Sequence, residues 1–441
     1  MHGSAKCYSN KYYSKMKISP LLGALALAPA LFLAAPAAAD EVFRATSAIT
    51  LPGTQQVQSF DISWVDPRLG LYLLADRTNK SVDVVRTDTN QLVTQLMANF
   101  AGSQGGNNDI AGPNGIITIG HQVWAGDGDS TLKIIDLNTG QLVVPPISTG
   151  GTKRADELCF DPKERLVLIA NDADSPPFIT FISVESDTVV GKIVMNGTLG
   201  TPNATGGIEQ CQWNPRTGKF LLNLPEVNGP GDDTAAGAVV VISPKSMKVE
   251  RTFIVDHSKC AGPQGMAIGP EHQVLLGCNQ PSGLKEVGGP PTTDTTGNGK
   301  FSTVVIDDDA DHIIAALGNE SGSDEVWFNP GDDHYFLARS SAAGNQQVGI
   351  VDAKHLGEDA SVIISSPGTG NAHSVAADPF RNQVYVPVPA TATAGVCASA
   401  GGTNARGCIA VITANHDDCS HHGRDDDHRH GDEDKCHVAH R

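Results

Sequence analysis

Apolar residues run along this chain in short stretches, and turns rather than a helical period separate them. One phrase recurs seven times: a polar residue, an apolar strand start, then a turn at Asp-Pro, Asn-Pro or Gly-Pro. Aligned on that turn, copies read Asp61-Ile-Ser-Trp-Val-Asp-Pro67, Asp156-Glu-Leu-Cys-Phe-Asp-Pro162 and Glu209-Gln-Cys-Gln-Trp-Asn-Pro215. Others are Gln264-Gly-Met-Ala-Ile-Gly-Pro270, Asp324-Glu-Val-Trp-Phe-Asn-Pro330 and His373-Ser-Val-Ala-Ala-Asp-Pro379. A seventh lacks the closing proline, with Gly112-Pro-Asn114-Gly-Ile matching Gly262-Pro-Gln264-Gly-Met. The leading position is therefore Asp61, Asn114, Asp156, Glu209, Gln264, Asp324 and His373, a column with no apolar member.

Each phrase opens a unit that continues in the same order. A second apolar strand follows the Pro turn, as at 71–75, 166–170, 220–223, 274–277 and 335–338. A third follows at 81–85, 132–135, 238–242, 302–306 and 348–351, and a looser fourth at 91–96 and 249–254. Turn signals every ~8–12 residues and β-rich runs without helical spacing make the chain all-β. Four strands per unit at this period is the pattern of a propeller blade, so the chain is expected to form a seven-bladed β-propeller of four-stranded blades. The last unit supplies three strands, at 372–377, 383–388 and 408–413. An N-terminal strand at 43–51 would complete it, close the ring and remove two exposed edges.

This topology places the polar column at one mouth of the central channel, since the loop leading into the first strand opens on the same face as the loop between the second and third. The long irregular segments at 226–237, 280–300 and 389–407 fall on that face too, as in a binding face carried by a rigid scaffold. Glu157 and Glu325, one position after the column, are expected to point away from the axis.

Composition sets the compartment. Lys17, an apolar run at 21–35 and Ala37-Ala38-Ala39 read as a secretory signal peptide over 1–39, with Met16 as an alternative start. No later stretch approaches the ~20 apolar residues of a membrane span. The protein is thus expected to be exported, periplasmic or secreted, with a single domain at 40–414 and a tail at 415–441. A net charge of −18 argues against nucleic acid and anionic membrane as partners. Eight cysteines remain after the leader, an even count that favours disulfides in an exported chain. Cys159 and Cys211 have opposite strand parity in adjacent blades, Cys260 and Cys278 lie at the loop-bearing face of one blade, and Cys397 and Cys408 bracket a loop. These are the expected bridges, with Cys419 to Cys436 in the tail.

The column brings four carboxylates, two amides and an imidazole towards one axis, and like charges in a narrow channel either spread apart, share protons or hold a cation. An oxygen-rich set with one His suits Ca²⁺, Mg²⁺, Mn²⁺ or Zn²⁺. The competing reading is a wet channel whose polar residues cap turns. The tail carries seven His and eight Asp or Glu with almost no apolar residues, so it cannot bury a core. His421, His422, His428 and His430 would collect Zn²⁺, Ni²⁺ or Cu²⁺ there, the alternative being a solvated tail.

The phrase and its Pro turn resemble the blade repeat of YVTN-type and NHL-type propellers. Pro113-Asn114-Gly115-Ile and Glu209 with Trp213-Asn-Pro215 are similar to gluconolactonase/regucalcin-type propellers. That resemblance implies a divalent metal held by Glu, Asn and Asp where the blades begin, with metal-activated water opening a sugar lactone. Six blades in that group against seven here, and carboxylates spread over more blades, separate the two. A propeller binding a small ligand, divalent cation or protein partner at the loop face, acting as a monomer, is therefore one expectation. A metal-dependent hydrolase of the lactonase type, with Glu209 and His373 as catalytic candidates, is the other.

Overall fold

The computed structural model describes residues 41–278, 303–317, 323–340, 346–357, 359–365, 372–391 and 395–416. Residues 1–40, the loop at 280–300 and the tail from 417 onward lie outside them, as do the proposed Cys419–Cys436 bridge and the tail histidines.

Seven four-stranded antiparallel sheets follow one another along the chain. In the first blade the strands are Ser63–Asp66, Leu71–Asp76, Ser81–Arg86 and Gln91–Leu96, hydrogen-bonded in that order. The seventh is built from Ala376–Asp378, Gln383–Val388, Cys408–His416 and the N-terminal strand Glu41–Ile49. Glu41 pairs with His416 and Ile49 with Ile409, so the first and last described strands close the ring as expected.

The phrase folds as it does because its Asx residue caps the turn it precedes. Asp66 Oδ1 accepts the N–H groups of Arg68 and Leu69 at 2.9 and 3.1 Å. Asp161, Asn214, Asn329 and Asp378 repeat the device, each accepting the N–H two residues on. A side chain that mimics a backbone turn explains why Asp or Asn stands before the proline.

No blade has a core of its own. Seven apolar clusters each combine residues from two adjacent blades, such as Leu168 and Phe181 of the third with Phe220 and Leu222 of the fourth. Burial between sheets is what stabilises a ring of blades that would be unstable singly. Three bridges reinforce it: Cys159–Cys211 between the third and fourth blades, Cys260–Cys278 and Cys397–Cys408, with Cα separations of 5.8, 5.3 and 5.8 Å. Such bridges belong to an oxidising, non-cytoplasmic environment. Among the described residues no helix is long and apolar enough to cross a membrane.

Candidate functional site

A recurring irregularity aims side chains at the channel. In the first blade Asp61 N–H donates to Ala75 O, while Ala75 N–H donates to the O of Ile62 rather than of Asp61. Two residues thus oppose one, the pairing of a β-bulge. The same exchange occurs at Asn114/Gly115, Asp156/Glu157, Glu209/Gln210 and Asp324/Glu325. Strict alternation would send the residue after the column away from the axis. The bulge cancels that alternation, and Glu157 and Glu325, contrary to expectation, line a cavity on the channel axis together with Gln210.

Above that cavity the column forms a belt of paired charges around part of the mouth. His373 stands between two carboxylates, with Nε2 2.5 Å from Asp61 Oδ1 and Nδ1 against Asp324. Arg77 donates to the other Asp61 oxygen and, from Nε and a terminal nitrogen, to Asn114 Oδ1 at 3.1 and 2.7 Å. Asn114 in turn donates to Ala155 O at 2.9 Å. Asp156 sits on Arg154 Nε at 2.6 Å, and the same guanidinium reaches Asp172 at 2.7 Å. Arg77 and Asp172 come from the loop between second and third strands, two residues past the positions that pair with the column.

These contacts set the charges. Burial pushes the Asp61 carboxyl up, but Arg77 and then His373 outweigh it and hold the group well below the usual carboxylate range. Burial would discharge the His373 imidazole, yet Asp324 and Asp61 keep it protonated well above its ordinary value.

Glu209 and Gln264 stand outside this belt, and their side chains make no hydrogen bond or ion pair among the described residues. Burial raises the Glu209 carboxyl well above its ordinary value, and Asp324, Asp172 and Asp156 add to the shift. The mouth is therefore belted on one side and forms an acidic corner on the other. Counting Asp61, Asp156, Asp172, Glu209 and Asp324 against Arg77, Arg154 and His373, carboxyl groups outnumber cations.

Of the loops over this face, 226–237 is an ordered shelf. The Glu226 carboxylate accepts from Thr205 Oγ1 at 2.7 Å, Thr234 N at 3.0 Å, Ala235 N at 3.2 Å and Gly231 N. The loop at 389–407 is pinned by Arg406, which donates to Gln55 O at 3.0 Å and to Leu51 O. Among the described residues one His/Asp group has donor atoms all within 4.8 Å of one another: His272, Asp307 and Asp308. It lies on the face of tight turns, where Asp308 already accepts from Arg216 at 2.7 Å and from Asn214.

Seven antiparallel blades closed in a ring define the class: the chain is a β-propeller. Among solved structures it resembles hydrazine synthase of Kuenenia stuttgartiensis, with a TM-score of 0.57 and 14% identity over 76% of this chain and 93% of that one. It also resembles the Pan2 WD40 domain of Neurospora crassa, with a TM-score of 0.53 and 10% identity over 84% of this chain and 94% of that one. At these identities the likeness is one of fold. No family model and no curated protein matches the chain.

Proposed function

We propose that this protein is an exported binding propeller whose channel mouth takes a small cationic ligand, a divalent metal ion being the simplest, at the acidic corner around Glu209. The observation that carries this reading is a buried carboxyl group without a hydrogen-bond or ion-pair partner among the described residues, pushed further up by the carboxyls of Asp324, Asp172 and Asp156. Oxygen donors of this kind suit hard divalent ions. The three bridges, and the reading of residues 1–39 as a leader, support an exported scaffold.

Binding is favoured over lactone hydrolysis by the state of His373. Both its ring nitrogens face carboxylates, so the imidazole has no free lone pair with which to take a proton from water. Glu209, which Arg154 influences without forming an ion pair with it, is the better partner for an ion than for a reaction.

The test is a calorimetric titration of the full chain with Mn²⁺, run on wild type, on Glu209→Gln and on a variant with His421, His422, His428 and His430 replaced by Ala. Saturable binding should survive the tail substitutions and weaken about tenfold or more in Glu209→Gln. Equal affinity in wild type and Glu209→Gln would overturn the reading.

A further inference from the structure

One layer below the mouth, the channel holds a cavity lined by Ile62, Ile116, Leu158, Glu157, Gln212 and Glu325, among others. Its volume, traced by the centre of a water-sized sphere, is about 20 Å³, room for a single small occupant. Two glutamates share it. Glu157 is only 9% exposed and makes no hydrogen bond or ion pair among the described residues. Glu325 is 1% exposed, and its two oxygens differ. Oε2 accepts from Ser374 Oγ at 2.6 Å, Val375 N at 3.0 Å and Ser63 N at 3.4 Å. Oε1 is buried with no partner. The Gln212 side chain also makes no hydrogen bond among the described residues, while Gln210 is engaged through Oε1, which accepts Met266 N–H at 2.5 Å.

From this arrangement we infer that the axial cavity is a calcium site, with Glu157 and Glu325 Oε1 as its charged ligands and the Gln212 amide oxygen as a neutral one. Buried polar atoms without partners are rare because each costs about 1–3 kcal/mol, more when charged. Here Glu325 Oε1 is such an atom, and the Glu157 and Gln212 side chains line the same space. A water would hydrogen-bond to both carboxyls but leave two like charges uncompensated if they ionise. A divalent cation compensates both, and Arg77 and Arg154 are already engaged in the layer above. The small volume chooses among divalent ions, since Mg²⁺ gives up its water reluctantly and Ca²⁺ accepts an irregular set of oxygens. Such an ion ties the third, fourth and sixth blades together across the channel. It is distinct from the mouth, because Glu157 and Glu325 lie one residue further along the phrase than Asp156 and Asp324, and Gln212 lies three further than Glu209.

Calcium is the probe. Full-chain protein is stripped with chelator and titrated with Ca²⁺, and separately with Mg²⁺, as wild type, Glu157→Gln, Glu325→Gln and Glu209→Gln. Both inner variants should lose one equivalent of Ca²⁺ relative to wild type, Glu209→Gln should keep it, and Ca²⁺ should bind about tenfold or more tightly than Mg²⁺. Trp64 and Trp327 line the same cavity, which gives a readout in protein with both glutamates intact. Terbium at this site should show tryptophan-sensitised emission that Ca²⁺ displaces and that falls severalfold in Trp327→Phe. Unchanged stoichiometry in both folded inner variants, or sensitised emission indifferent to Ca²⁺, overturns the inference. Loss of the equivalent in Glu209→Gln alone places the ion at the mouth, which overturns this site and leaves the proposed function standing.

Discussion

Replacing Arg77 with Met tests whether the belt at the mouth is a structural unit. The Arg77 and Asp61 side chains are 4% and 5% exposed, so this pair is buried rather than a surface bridge. Removing one partner of a buried pair costs about 3–5 kcal/mol, because the other charge stays behind in a poor dielectric. Asp61 keeps His373, which lowers that figure, whereas Asn114 Oδ1 loses both donors from Arg77, worth about 1–3 kcal/mol when left unsatisfied. A net loss of about 3–4 kcal/mol is expected, a large fraction of the ~5–15 kcal/mol that holds a typical fold together. Urea unfolding should show it as a lower midpoint at unchanged slope. Adding Asp61→Asn removes the stranded charge, so the double variant should recover about 2 kcal/mol relative to the sum of the single changes. A loss under about 1 kcal/mol with no coupling would mean that the pair behaves like an exposed bridge, and the belt would carry no structural weight.

Two further outcomes follow from the same structure. Glu325 is raised to about 8, first by burial, against the hydrogen bonds from Ser374, Val375 and Ser63 that partly lower it. The unfolded chain ionises near the ordinary value of 4.5 while the folded one stays neutral, so in calcium-free buffer stability should fall as pH rises from about 4.5 to about 8. Glu325→Gln should flatten that slope, and parallel pH profiles for the two proteins would contradict the assignment. Replacing Cys159 and Cys211 by Ser opens a link between residues 52 apart, for which chain entropy gives about 4 kcal/mol. Thermal unfolding that is no earlier than in wild type would show that the third and fourth blades do not depend on it.

How much of this was legible in the sequence depends on the distance over which each feature is decided. The Asx-Pro turns, the strand runs and the blade count are local, set by which residues can cap a turn or lie on a half-buried sheet. They are written into every copy of the phrase. Ring closure and the Cys159–Cys211 bridge could be read as well, since strand parity in neighbouring blades fixes which side chains meet. Position in the fold also placed Asp61, Asp324 and His373 near one axis.

Their partnerships were a different matter. His373 meets Asp61 across 312 residues of chain, and Arg77 meets Asn114 across 37, contacts that exist only once the ring has closed. Arg77 and Asp172 lie in the loop after the second strand, on the mouth face, but the matching positions Gly128, Pro225 and Ser340 of other blades carry no charge, so no repeat marks them. Glu157 and Glu325 were misread because a single bulge exchanges the two sides of a strand, and nothing in an alternating pattern marks where pairing slips by one residue. The sequence by itself therefore determined the repeat, the fold and the ring of polar positions, because short-range sterics and alternation suffice for those. The tertiary structure alone decided which charges neutralise one another and which carboxyls are left facing the axis, because burial and ion pairing depend on neighbours that the chain brings together only at closure.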